Sequence, residues 1–188
     1  MATTADQVQS VLQLVDREIW IVTAAAGGRA SGLVATWVSA ASIDPDQPTM
    51  MIGLAPNHFT TELVEASGAF ALHLLDSSQV ELVWRFALSS GRDTNKFADV
   101  AYQAGLLGSP VLADCLAWLE CRTIARYDAG NRIFFWGEAT AGKVLRKGAA
   151  LREKQVFAAA TDEQRAALAQ SRATDIAMLA PRRRPQQG

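Results

Sequence analysis

Apolar residues along this chain change their period several times, and each change marks an element. Val8, Leu12 and Val15 recur near helical spacing and predict a short opening helix. Ile19 to Thr23 is β-branched and aromatic and predicts a strand, with Ala24 to Gly28 carrying it into a turn. A second strand is expected through Leu33 to Ser39 and a third over Met50 to Leu54. Between them, Asp44-Pro45-Asp46-Gln47-Pro48 must be a loop, because proline cannot donate to a central ladder. Asn57 to Ser67 reads as a loop and a short helix stopped by Gly68, and Phe70 to Leu75 returns as strand.

Ser78 and Glu81 have the spacing of a capping box and open a helix over Val80 to Phe86. Ser89 to Asn95 is a polar, turn-rich loop. Leu116 to Ile124 reads as strand, with Cys115, Ala117, Leu119 and Cys121 on one apolar face and Glu120 and Arg122 on the other. Asp128-Ala129-Gly130-Asn131 makes a hairpin turn into Ile133 to Glu138, continuing to Val144. Thr161 with Gln164 forms a second capping box and opens an Ala-rich helix reaching about Leu179. Hairpin-linked strands flanked by helices favour a mainly β, antiparallel barrel over alternating βαβ units. The chain is read as a barrel unit over 1–160 followed by a C-terminal helix and basic tail over 161–188.

Composition narrows the functional classes. At 188 residues the chain can bury a full single-domain core, and its 49% hydrophobic and 20% charged residues are ordinary for a soluble globular protein. A net charge of -1 gives no general basic field for nucleic acid. Arg182-Arg183-Arg184, flanked by Pro181 and Pro185, is expected to be a solvated tail. Cys115 and Cys121 lie too far apart along one strand for a disulfide and are expected as reduced core residues. The N-terminal residues lack the basic-then-apolar pattern of a secretory signal, and the apolar runs stop short of membrane length. The expectation is a cytoplasmic protein with no membrane contact.

Motifs for self-contained catalysis are missing. The sequence has no dinucleotide or P-loop glycine pattern, no H-E-x-x-H and no G-x-S-x-G, and His58 and His73 are its only histidines. A bound cofactor that carries its own chemistry fits better, since the protein then supplies binding and orientation.

Several segments, in order, resemble the flavin reductase-like family. Ser31-Gly32-Leu33-Val34-Ala35-Thr36-Trp37-Val38-Ser39 resembles its flavin-contacting strand, and Ser42-Ile43-Asp44-Pro45 its S-L-D-P turn. Ser67-Gly68-Ala69-Phe70 with Leu74-Leu75, then Asp93 with Lys96-Phe97, follow its next segments. Gly108-Ser109-Pro110-Val111-Leu112 and Leu119-Glu120-Cys121 match its late signature. The resemblance implies an antiparallel split β-barrel of Greek-key type with flanking helices, binding FMN without covalent attachment and working as a homodimer. It implies that Ala35, Thr36, Trp37, Val38 and Ser39, with Ser42, lie along the isoalloxazine ring. It also implies that Asn57, His58 and Thr60, at a helix N-terminus, take the phosphate, with Arg92 and Lys96 as nearby cations. The residue types alone also allow plainer roles: Thr36 and Trp37 as barrel residues, Thr60 as a helix N-cap, His58, Arg92 and Lys96 as solvated loop residues.

The resemblance further implies hydride transfer from NADH or NADPH to flavin, with a flavin-dependent monooxygenase as one acceptor of the reduced product. Two departures bear on this. Gly130-Asn131-Arg132 stands where many of these reductases have G-D-H, and His73 stands in place of the usual Asn. The first puts nicotinamide use in question more than FMN binding. An FMN-binding electron-transfer module, or an FMN oxidoreductase acting on another organic substrate, therefore stands beside the reductase reading. His73 itself reads as a satisfied strand residue.

Overall fold

The computed structural model describes residues 2–182; Arg183, Arg184 and Pro185 of the expected tail lie outside them. Helix α1 (Thr4–Leu12) opens on a reciprocal cap between Thr3 and Asp6 and buries none of its residues. Strands β1 (Trp20–Ala26) and β2 (Arg29–Ala35) form a hairpin closed by Gly27 and Gly28, at φ 57° and 75°. The strand outlasts the expected turn at Ala24 because only the two glycines adopt the positive φ of a two-residue hairpin.

The second predicted strand is two strands. β2 ends at Ala35, Thr36 and Trp37 break the ladder, and β3 (Val38–Ala40) resumes against β4 (Thr49–Leu54). After β4 come α2 (Phe59–Ser67), β5 (Ala69–Leu74) and α3 (Val80–Ala87). The helix start at α3 is fixed by Asp76 and Gln79, whose reciprocal cap opens a single 3-10 turn, and not by Ser78 and Glu81. Asp76 outcompetes Ser78 because its carboxylate accepts both the Ser78 amide and hydroxyl. The short β6 (Tyr102–Ala104) and β7 (Pro110–Leu112) precede the long hairpin of β8 (Ala117–Asp128) and β9 (Ile133–Val144). Two helices close the described chain: α4 (Glu153–Ala159), which the sequence reading missed, and α5 (Asp162–Leu179), capped by Thr161 and Gln164 as predicted.

Seven strands form one sheet in the order β2-β1-β5-β8-β9-β4-β3, every pairing antiparallel. Its two edges, β2 and β3, are successive parts of one extended segment joined by Thr36 and Trp37. The sheet must therefore curl back toward its own first edge, and the Trp37 carbonyl, accepting the Gly53 amide at 2.9 Å, carries the β3–β4 ladder up to the break. The expected mainly β, split antiparallel barrel with flanking helices is the fold that forms. The break at Thr36 is where it splits.

Both sheet faces are covered. Val22, Phe70, Leu72, Ile52 and Phe135 fill one side together with Leu63 and Val64 of α2. Ile21, Leu75, Val83, Trp84, Phe86 and Val156 fill the other beneath α3 and α4. Cys115 and Cys121 are free and buried, and burial raises their thiols to about 11 and about 12, which keeps them protonated. Glu120 lies opposite Cys121 as expected, yet its face is not wet. Residues 105–109 cover it, and its Oε1 accepts the amides of Leu107 (2.9 Å) and Ser109 (3.3 Å). No helix among the described residues is long and apolar enough to cross a membrane.

Candidate functional site

The split places a cavity of about 510 Å³ beside β2, within the range of cofactor sites. Ser31, Gly32, Leu33, Val34 and Thr36 form its floor, and the loop and first turn of α2 from Asn57 to Thr60 form one wall. The 88–92 loop and Lys96 form another, and α4 and α5 roof it with Val156, Phe157, Leu168, Ser171, Asp175 and Met178. A second cavity of about 420 Å³ lies around the β2–β3 junction, between Thr36, Trp37, Val38, Ser39, Met51 and Phe134. Thr36 lines both.

The sequence-derived site residues therefore fall into two groups that meet at Thr36. Asn57, His58, Thr60, Arg92 and Lys96 surround the larger cavity; Trp37, Val38 and Ser39 line the smaller one. Ala35 is buried in the barrel core. Ser42 lines neither cavity, and its hydroxyl accepts the Asp44 amide at 3.0 Å to shape the turn.

The α2 N-terminus gathers hydrogen-bond donors around one carboxylate. His58 is its N-cap residue and its side chain makes no capping bond; its carbonyl takes the amides of Thr61 and Glu62, and those of Phe59 and Thr60 are left to a ligand or solvent. Thr60 is buried and donates to Ser31 Oγ at 3.1 Å, so the plain N-cap role falls to another residue. Asn57 Oδ1 is buried without a hydrogen-bond partner among the described residues. A carboxylate already sits here: Asp175 of α5 accepts from Asn57 Nδ2 at 2.8 Å and meets His58 Nε2 at 2.9 Å.

The two expected cations differ in what they touch. Arg92 pairs with Glu62 of α2, and its guanidinium lies 5.3 Å from the Phe59 ring centroid. Arg29, at the β1–β2 hairpin, lies 4.1 Å from the same centroid. Lys96 is buried and donates to the carbonyls of Gly32 (2.9 Å) and Phe86 (2.7 Å), pinning β2 to the end of α3. Burial pulls its ammonium down to about 8.

Sequence reasoning missed Asp175 and Gly91, and took Ser31 only as the start of the flavin-contacting segment. Asp175 is 117 residues from His58, and no local spacing signals their meeting. Gly91 packs so tightly that a Cβ there would lie 2.1 Å from Ser31 Oγ and 2.8 Å from Ser31 Cβ. Gly91→Ala is expected to push Ser31 off Thr60 and cost about 1–3 kcal/mol of stability, as overpacking does. Urea unfolding checks this, and an unchanged midpoint would mean the 88–92 loop simply yields.

The curled antiparallel sheet with a cavity at its split has the architecture of flavin reductase-like proteins. Residues 12–161 match the flavin reductase like domain, and the chain belongs to that family. A high molecular weight rubredoxin from Moorella thermoacetica is 34% identical over 132 residues, covering 69% of this chain and 57% of that protein. A diflavin flavoprotein A 1 from Synechocystis is 29% identical over 131 residues, covering 68% of this chain and 22% of that protein. The chain thus spans only part of the length of these curated relatives. Among solved structures, a nitrilotriacetate monooxygenase component B homolog from Mycobacterium thermoresistibile superposes with a TM-score of 0.70 at 26% identity. That likeness covers 80% of this chain and 84% of the other.

Proposed function

We propose that this chain is an FMN-binding oxidoreductase that oxidises NADH or NADPH and delivers reduced flavin to a separate acceptor, such as a flavin-dependent monooxygenase. The observation that carries the flavin reading is the carboxylate of Asp175 held at an otherwise uncapped helix N-terminus, on the wall of a cofactor-sized cavity. A site that seats a carboxylate through Asn57 and His58 has the donor chemistry for a phosphate.

In this reading Asn57, His58 and the first-turn amides of α2 hold the phosphate, with Thr60 and Arg92 beside them. Leu33, Val34 and Thr36 border the apolar part of the cofactor, which runs from the larger cavity toward Trp37. FMN would supply the two-electron redox chemistry itself. The protein's share is to align two rings and exclude water, which Leu168, Met178 and Phe157 do from the roof. Such a role needs no acid–base pair.

The decisive measurement is the absorbance spectrum of the FMN-loaded protein before and after NADH or NADPH under nitrogen. Bleaching of the flavin band with each equivalent of donor is the expected result. A protein that binds FMN tightly yet stays oxidised would be the electron-transfer module instead, a reading favoured by the missing histidine of the G-D-H pattern at the late hairpin. We also propose a homodimer. Val8, Val11, Leu12 and Val15 lie exposed on and just after α1, an apolar row that a second copy would cover. Sedimentation of a monomer at micromolar concentration would refute it.

A further inference from the structure

Arg132 immediately precedes β9, the return strand of the long hairpin. It is half-buried, with its guanidinium 4.8 Å from the centroid of the Trp37 ring. Among the described residues its one hydrogen bond runs from Nη1 to the carbonyl of Asn131, the preceding residue, at 2.7 Å. Among the described residues no carboxylate pairs with it; other arginines of this region do pair, as Arg126 and Arg182 do with Asp128. A partly desolvated guanidinium with no carboxylate in ion-pair contact lowers stability, and most of its fork of five donors stays unused.

Its position gives that fork an address. Trp37 belongs to the Thr36–Trp37 break that joins the two cavities, is 40% exposed, and lies parallel to Phe134 at 6.2 Å between centroids. Trp37 and Phe134 both line the smaller cavity. The carboxylate of Asp175, in the roof of the larger cavity, also acts electrostatically on Arg132. Arg132 therefore lies against the flat aromatic wall of the smaller cavity. An indole face holds a guanidinium in one plane while leaving its edge free for a bidentate acceptor.

We propose that Arg132 is a specificity-determining residue that binds a phosphate group of the second substrate, so that the smaller cavity selects a phosphate-bearing reduced nicotinamide over a neutral one. The aromatic wall of Trp37 and Phe134 borders the ring of that substrate, and the Arg132 fork takes its phosphate. This rests on the oxidoreductase reading above for the identity of the substrate, but the anion site can be tested without turnover.

The test compares wild type with Arg132→Ala and Arg132→Lys, each loaded with FMN. Three donors are used: NADPH, NADH and 1-benzyl-1,4-dihydronicotinamide, which carries no phosphate. Arg132→Ala is expected to raise KM for NADPH and NADH at least tenfold while changing kcat/KM for the neutral donor less than twofold. Arg132→Lys is expected to recover part of the loss, as a point charge without the fork. A loss confined to NADPH assigns the contact to the 2′-phosphate; a loss shared with NADH assigns it to the pyrophosphate. Equal losses for all three donors, or none, would overturn the proposal. Calorimetric titration with NADP+ supplies the readout apart from activity, with at least tenfold weaker binding expected for Arg132→Ala. Binding of NADP+ through Arg132 without oxidation of any donor would refute the proposed reaction and leave the anion site standing. Oxidation with unchanged KM and unchanged NADP+ affinity in Arg132→Ala would do the reverse. A wild type that neither binds NADP+ nor oxidises the donors would refute both.

Discussion

Asp175→Asn is expected to tighten FMN binding about tenfold, equivalent to about 1.4 kcal/mol. The substitution keeps the shape of the side chain and a carbonyl oxygen for Asn57 Nδ2, which now donates to Asp175 Oδ1 at 2.8 Å. It removes the negative charge that α5 sets against His58 at 2.9 Å. A phosphate arriving at the α2 N-terminus must displace that carboxylate or lie beside it, and like charges this close repel strongly. The same latch gives α5 its role. Leu179 is buried and Leu168 packs on the α3–α4 core, whereas Ile176 and Met178 stay largely exposed. The helix is thus held over the cavity more by Asp175 and its two ends than by a continuous apolar face. Fluorescence-quenching titrations of FMN at low and high salt check the effect, which should shrink as salt screens the repulsion. Equal or weaker binding by Asp175→Asn would show that the carboxylate helps to assemble the site instead of competing for it.

The helix itself was legible in the sequence, since Thr161 and Gln164 cap it locally. Its docking was not, because Asp175, Asn57 and His58 are brought together only by the closed fold. The same division runs through the molecule. The β1–β2 turn could be placed to within a few residues by its glycines, and the β8–β9 hairpin by Asp128 to Asn131. The break at Thr36 and Trp37 gave no local sign, because both residues suit a strand and the ladder ends only where β1 gives way to β4 as partner. Lys96 was legible as a cation near the site but not as one committed to two carbonyls, since burial is a tertiary property. Arg132 was visible as a departure from a motif; that it lies on Trp37 and lacks a carboxylate required the packed structure.

His73 should make the protein acid-labile well above the ordinary carboxylate range. Its ring is wholly buried, with Nδ1 donating to the Ile21 carbonyl at 3.1 Å and Nε2 accepting the Leu112 amide at 3.1 Å. These bonds fix the neutral tautomer and tie β5 to β1 and β7, so the residue acts structurally, as its strand position suggested. Burial lowers its pKa from 6.5 to about 4. The unfolded chain therefore binds a proton between these values that the folded chain refuses. Stability from this group is complete above pH 6.5 and falls as pH drops, by about 1.4 kcal/mol per pH unit, toward a total of about 3 kcal/mol near pH 4. His73→Asn removes the titrating group while keeping a donor and an acceptor on a smaller frame. It is expected to lower stability at pH 7.5, by about 1–3 kcal/mol for the cavity and altered bonds, yet to flatten the fall between pH 7 and 5. Urea midpoints of both proteins across that range test the difference, which cancels the titration of every other group. Parallel pH profiles for the two proteins would mean that His73 is protonated in the folded state without loss, and that one of its two bonds can be given up.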